Sequence, residues 1–409
     1  MPSGRSGPWP TDDFGRQAAA TAARKRTVRS SRGLASVSRW LSEQPLLLQV
    51  LRGEAEPAHW SPAQWSNVVQ QARMSSLLGR VAGSLLLACT RDGVVPPPGA
   101  AGQFDAAARV WRAQQAELQR ELRYISLALA PLGAPVVLLK GAAYGATGLP
   151  PAAGRLFSDI DILVPRAALA DAERLLTLAG WLGGQKTEYD QRYYRQWMHE
   201  LPPMAHVHRG TVLDVHHTLL PQTARLQPDA ARLFQQLVPV EGHAGLYVLP
   251  PAEMVLHSLT HLFMNDELSH ALRDLSDLDL LLRHFGSDPG FWDQLAPAAR
   301  HHQLDRLLHY ALRFTQRLFG TPVPQVTLDQ TKAAGPPLLL RPLMNLLWLN
   351  ALQPPAIAAS RFASRASLFA LYLRGHWLRM PPLMLARHLT IKALRLHEPK
   401  ADSAVRTVG

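Results

Sequence analysis

Between Arg155 and Val164 the chain reads Arg-Leu-Phe-Ser-Asp-Ile-Asp-Ile-Leu-Val, and this run constrains the fold more than any other stretch. Its alternation has a period of two. Ile160, Ile162 and Val164 fall on one side of an extended strand, with Asp159, Asp161 and Leu163 on the other. A strand built this way aims two carboxylates at one region of space, which is unfavourable without a counter-ion. Divalent magnesium, a hard cation that takes oxygen ligands, removes the penalty and holds a phosphate at the same time.

Around this strand the pattern changes character twice. Residues 1–33, rich in Pro, Gly, Ser and Ala and containing Arg24-Lys25-Arg26, read as a basic leader. Residues 34–133 read as helical. Leu41, Leu46, Leu48 and Leu51 begin an apolar face, and Ser61-Pro62 supplies a cap and a first-turn proline for a helix running into the apolar stretch 84–89. Arg91 to Gly102 reads as a loop, and 104–130 as a long helix. From Pro135 short β-branched runs appear: a buried strand to Leu139, the strand 159–164, a helix from Pro165 to Ala179, and an alternating strand from Thr211 to His216 that carries Asp214. These place an α+β core at 134–240 with a small mixed sheet. Helices return at 241–335, where Pro250-Pro251 starts a helix bearing His257 and His261, and Pro322 to Pro337 reads as a connection. Residues 336–409 form a basic, apolar helical tail broken by Pro354-Pro355 and Pro381-Pro382.

Charge is unevenly spread. Of the formal net charge of +12, residues 1–33 hold seven basic and two acidic residues and residues 361–409 hold nine basic and two acidic, which leaves 34–360 neutral. Basic ends on a neutral body fit tails or an anionic surface, and they argue against a long nucleic-acid substrate threaded through the core. Contact of 361–409 with a membrane surface or a partner protein is one expectation, and ordinary helical packing the other. The single cysteine, Cys89, excludes an intrachain disulfide framework and a thiolate-rich zinc site. The first thirty residues contain no apolar segment of signal-peptide type. Both features fit a reducing cytoplasm.

The chemistry rests on Asp159, Asp161 and Asp214. Phosphoryl or nucleotidyl transfer needs carboxylates that hold magnesium against a triphosphate and one that helps activate the attacking hydroxyl. Lys140-Gly141, at the end of the preceding strand, supplies a mobile positive charge and a close backbone approach for phosphate. Arg155 and Ser158 stand just before the acidic pair as further phosphate contacts.

Val136-Val-Leu-Leu-Lys-Gly-Ala-Ala-Tyr144, the run Arg155-x-x-Ser-Asp-Ile-Asp-Ile-Leu-Val164, the helix end Gly180-Trp181 and Val212-Leu-Asp-Val-His-His217 together resemble a family of uncharacterised bacterial nucleotidyltransferases. That family is related to the DNA-polymerase-β-like superfamily. The resemblance spans about 36–320 and is most specific in 136–217. It implies a small mixed-sheet nucleotidyltransferase core flanked by helical N-terminal and C-terminal parts, with Gly141 on the phosphate element, Asp159 and Asp161 on the metals, and Asp214 as third carboxylate. It further implies magnesium, an NTP, and a small-molecule, saccharide or protein acceptor. Some members accompany exopolysaccharide or cell-envelope gene sets, and the proline-broken tail looks like theirs. Where the superfamily opens with Gly-Gly or Gly-Ser, this chain has Lys140-Gly141.

Other residues carry two readings each. His216 and His217 either contact phosphate or substrate, or finish a strand and pack. His257 and His261 lack a His-Glu-x-x-His arrangement, because Ser258 follows His257, and read as inter-helix contacts. Tyr189, Tyr193, Tyr194 and Trp197 either stack on a base or sugar or pack in a core or lid. Arg273, Asp274 and Asp277 read as helix-surface or inter-domain ion pairs. Two rivals to nucleotidyl transfer remain: a kinase-like phosphoryl transfer with the same carboxylates, and a non-enzymatic adaptor that retains the fold.

Overall fold

A computed structural model describes residues 45–184, 198–265, 267–354 and 361–381. Tyr189, Tyr193, Tyr194 and Trp197, expected to stack on a ligand or pack, and the leader expected at 1–33 lie outside them.

The N-terminal part is helical: α1 (Leu46–Arg52), α2 (Pro62–Met74), α3 (Leu78–Asp92) and α4 (Pro98–Leu129). Ser61 caps α2 by accepting from the Gln64 N–H at 3.3 Å, while the Gln64 side chain accepts from the Ser61 N–H at 2.8 Å, a reciprocal capping box. The helix does not run on into 84–89 as its sequence suggested. Ser76 takes a left-handed φ of 56°, and the Leu77 N–H returns to the Ala72 carbonyl at 2.8 Å, which ends α2 and resets the chain for α3. The loop expected at 91–102 is also shorter, because α3 continues to Asp92 and Pro98 starts α4 at its first turn.

The core is α+β, with a mixed seven-stranded sheet in the order β3-β4-β5-β2-β1-β7-β6. Its strands are β1 (Val136–Leu138), β2 (Asp159–Leu163), β3 (Trp181–Gly183), β4 (Met204–His206), β5 (Val212–His216), β6 (Val238–Pro239) and β7 (Leu246–Val248). β7 lies past the boundary drawn at 240 and pairs in parallel with β1. Two helices belong to the core, α5 (Lys140–Ala146) and α6 (Leu169–Leu178). Val137, Leu138, Ile162, Leu163, Leu213 and Val215 are buried, and α4 packs on both α5 and α6. The central pairs decide the site: β1 runs antiparallel to β2, and β2 runs parallel to β5 with Asp161 opposite Asp214.

Beyond the sheet come α7 (Pro251–Met264), α8 (Ala271–Phe285), α9 (Pro289–His301), α10 (Asp305–Phe319), α11 (Gln325–Lys332), α12 (Arg341–Ala351) and α13 (Arg361–Arg379). The connection expected from Pro322 to Pro337 holds α11, which buries Thr327 and Thr331 and packs on α10; the flanking prolines disguise it. Among the described residues no helix is long and apolar enough to cross a membrane.

Asp277, 2% exposed, ties three parts of the chain together. Its Oδ1 accepts from Arg80 Nη2 on α3 and its Oδ2 from Arg155 Nε before β2, each at 2.7 Å. Arg80 Nη2 also donates to the Pro151 carbonyl at 2.7 Å, and Nη1 to Ser276 Oγ at 2.8 Å. Of the two readings given for Asp277, the ion pair between separate parts of the chain is the one observed: it sits in the interior, where one carboxylate serves two guanidinium groups. Removing it leaves two buried cations with no anionic partner, a loss of about 3–5 kcal/mol. Asp277→Ala is therefore expected to lower unfolding stability by that order in urea titration, and a change below about 1 kcal/mol would contradict the clamp.

Candidate active site

Local structure first fixes Asp161. The Leu139 N–H donates to the Asp161 carbonyl at 3.0 Å, extending the β1–β2 pairing to the point where the chain turns into α5. At that turn Lys140 adopts φ 44°, a left-handed conformation rare for a residue with a side chain, and its Nζ donates to Asp161 Oδ1 at 2.7 Å. His216 Nε2 meets the same oxygen at 3.0 Å. Burial alone would raise the Asp161 carboxyl, but Lys140 and His216 outweigh it and hold it well below the usual carboxylate range. Lys140 and His216 answer in kind: burial pushes both down, and the Asp161 carboxylate more than offsets it.

Asp214 has no such compensation. Burial, the charge of Asp161 and that of Glu200 raise its carboxyl to about 7. Its Oδ1 is buried without a hydrogen-bond partner among the described residues. Asp159 stands two residues before Asp161 on β2, and Ser158 Oγ donates to its Oδ1 at 3.2 Å. One carboxylate oxygen from each of Asp159, Asp161 and Asp214 lies within 4.8 Å of the others. Three converging carboxylates, one of them with an orphaned oxygen, fit a hard divalent cation: the donors are all oxygen, and the cation supplies the charge that Asp214 lacks.

Gly141 is required by packing. A Cβ there would stand 2.5 Å from Arg155 Nη1 and 3.2 Å from Phe157 Cβ. The loop it touches is pinned from α4, where Gln114 Nε2 donates to the Phe157 carbonyl at 2.6 Å and its Oε1 accepts from the Phe157 N–H at 3.1 Å. Arg155 lines the small cavity of about 260 Å³ beside Gly141, Ser158, Asp159 and Asp161, with its Nε committed to Asp277. Asp277 and Asp274 overcome the effect of burial and keep this guanidinium charged.

A larger cavity, about 560 Å³, opens on the other side of Lys140 and Asp159. Asp214, His199, Glu200, His216, His257 and His261 line it. Burial pushes His199 and His257 well below the usual histidine range and His261 below it, so these rings are neutral near pH 7. His257 and His261 thus face the cavity as well as the helix packing expected of them. Glu200 escaped sequence reasoning because it lies in an irregular stretch with no periodicity; its neighbour His199 was the one local signal. His217 faces away from the acidic group, with Nε2 against the Met198 carbonyl at 3.2 Å. Cys89 is buried in the helical part, and burial pushes its thiol up to about 11, which leaves no reactive thiolate near pH 7.

The mixed sheet thus gathers an Asp-x-Asp pair and a third aspartate from the adjacent strand in one place. The chain belongs to the family described as uncharacterised nucleotidyltransferase, which matches residues 61–320. Membership makes it a nucleotidyltransferase by class and implies an NTP substrate. No curated protein and no solved structure matched it.

The raised Asp214 carboxyl has a consequence for stability with a definite sign. Between about pH 4 and 7 the metal-free folded protein holds a proton on Asp214 that the unfolded chain has released. That contribution is fully present below about pH 4 and is lost progressively as pH rises from there through 7, at up to about 1.4 kcal/mol per unit. In chelator, Asp214→Asn is expected to be more stable than the unsubstituted chain at pH 8, by clearly more than at pH 5, and to match it only below about pH 4. Urea titrations at these values check this; lower stability of the variant at pH 8 would sink the assignment.

Proposed function

We propose that this protein is a magnesium-dependent nucleotidyltransferase that moves a nucleoside monophosphate from an NTP to a hydroxyl or phosphate acceptor and releases pyrophosphate. The convergence of Asp159, Asp161 and Asp214 carries the reading, because the parallel register of β2 and β5 sets Asp161 opposite Asp214. Bound there, magnesium would neutralise triphosphate charge and polarise the phosphoryl oxygens. Asp159 and Asp161 orient the triphosphate, and Asp214 accepts the proton of the attacking hydroxyl. A carboxyl tuned to about 7 is matched to that task, although metal binding would lower it. Lys140, Gly141, Arg155 and Ser158 receive the phosphate side, and His216 holds Asp161 in place.

The larger cavity, where the neutral rings of His199, His257 and His261 and the hydroxyls of Thr218, Thr223 and Thr260 stand beside the carboxylates of Asp159, Glu200 and Glu267, suits a hydroxyl-bearing acceptor better than a long polyanion. A saccharide intermediate of exopolysaccharide or envelope metabolism fits that lining. A cytoplasmic location with peripheral contact at the inner face of the membrane fits the tail: residues 361–409 hold nine Arg or Lys against two acidic residues, and Leu339 just before α12 and Phe369 and Trp377 on α13 are exposed.

Incubation with NTP labelled at the α or γ phosphate separates the rival reactions. Transfer of α label to the acceptor with pyrophosphate release is expected. Transfer of γ label would mean a kinase-like enzyme instead. Asp161→Asn is expected to abolish turnover while the fold is retained, and full activity in that variant would contradict the reading.

A further inference from the structure

His199, Glu200 and His216 form a second group of ligand-type side chains beside the three aspartates. Backbone pairing builds it. Glu200 forms an isolated antiparallel bridge with His216, the Leu201 N–H donates to the Val215 carbonyl at 2.8 Å, and the His217 N–H donates to the His199 carbonyl at 2.9 Å. This short pairing lays His199 and Glu200 along the end of β5.

One ligand atom from each of the three lies within 4.8 Å of the others, and Glu200 stands between the two rings. Glu200 Oε2 lies 3.4 Å from His216 Nδ1 and 3.7 Å from His199 Nε2. A tetrahedral ion held at about 2.0–2.1 Å by nitrogen and oxygen separates its ligands by roughly 3.3–3.4 Å. On its other side His216 Nε2 meets Asp161 Oδ1 at 3.0 Å, a contact that would hold the proton on Nε2 once an ion displaced the proton of Nδ1, the nitrogen that faces Glu200. His199 Nδ1 is buried with no hydrogen-bond partner among the described residues, so the ring's polar contact is on its Glu200 side. All three residues line the larger cavity, so a ligand entering it would reach an ion held between them.

We propose that His199, Glu200 and His216 bind a divalent transition-metal ion of the zinc class, separate from the hard-cation site on the aspartates. The donor set decides the class: two imidazoles and one carboxylate suit zinc, whereas three carboxylates suit magnesium. The two centres meet at the His216–Asp161 contact, so an ion on His216 also orients a carboxylate of the neighbouring site. The inference does not rest on the transfer reaction, because metal content reads it without turnover.

The test uses the untagged full chain, stripped with chelator, reloaded with Zn²⁺ or Co²⁺ in excess Mg²⁺, and desalted before elemental analysis. One retained equivalent is expected, with visible absorption of tetrahedral intensity in the Co²⁺ form. Paramagnetically shifted imidazole N–H signals should report two histidines in the unsubstituted chain. Glu200→Gln, close in shape, and His199→Ala are each expected to weaken retention by about 100-fold, and Asp159→Asn to leave it intact. Circular dichroism establishes that each variant is folded. Absence of a retained ion, retention that survives both Glu200→Gln and His199→Ala, or retention lost in Asp159→Asn alone would each overturn the proposal. In the first case His216 is an imidazolium between two carboxylates with no ion present.

Discussion

The parallel pairing of β2 with β5 is the constraint on which the site depends. It sets Asp161 directly opposite Asp214, with Asp159 two residues away, Asp161 buried and the other two half-buried at a cavity wall. Like charges held that way are tolerated only if each is answered. Lys140 and His216 answer Asp161 on a single oxygen, Oδ1. Asp214 is left to take up a proton or a cation, and the same imbalance that makes it a poor structural residue makes it a good ligand or base.

Holding such a pair in register takes support from outside the sheet. The loop before β2 is fixed at Phe157 by Gln114 and at Arg155 by Asp277, and Asp277 is in turn shared with Arg80. Helices from both sides of the core thereby converge on the segment leading to Asp159. The flanking helices are part of how the site is held, which is consistent with a family match extending from residue 61 to residue 320.

The central elements were legible because their signals are local. Alternation through Asp159–Leu163 and Val212–His216 marks both strands, and the Ser61-Pro62-x-Gln64 pattern marks a helix start. The order of strands was not legible, since which strand lies beside β2 depends on contacts far apart in the chain. Glu200 escaped for the same reason, since its partner His216 lies on a separate strand, and Asp277 was legible as an ion-pair residue while its distant partners Arg80 and Arg155 were not. Helix α11 was hidden by prolines at both ends that read as loop, and β7 by its three-residue length. The phosphate role expected of Arg155 meets a side chain already engaged with Asp277, which makes it first a brace for the loop and a phosphate contact only through its remaining N–H groups.

The central claim is that the three aspartates receive a metal–triphosphate complex, and a crystal structure grown with Mn²⁺ and a non-hydrolysable NTP analogue tests it most directly. Anomalous density is predicted among Asp159, Asp161 and Asp214, with the triphosphate against Lys140 and Gly141. Nucleotide bound elsewhere, or bound at this cavity with Lys140 still on Asp161 and no metal among the carboxylates, would contradict the account.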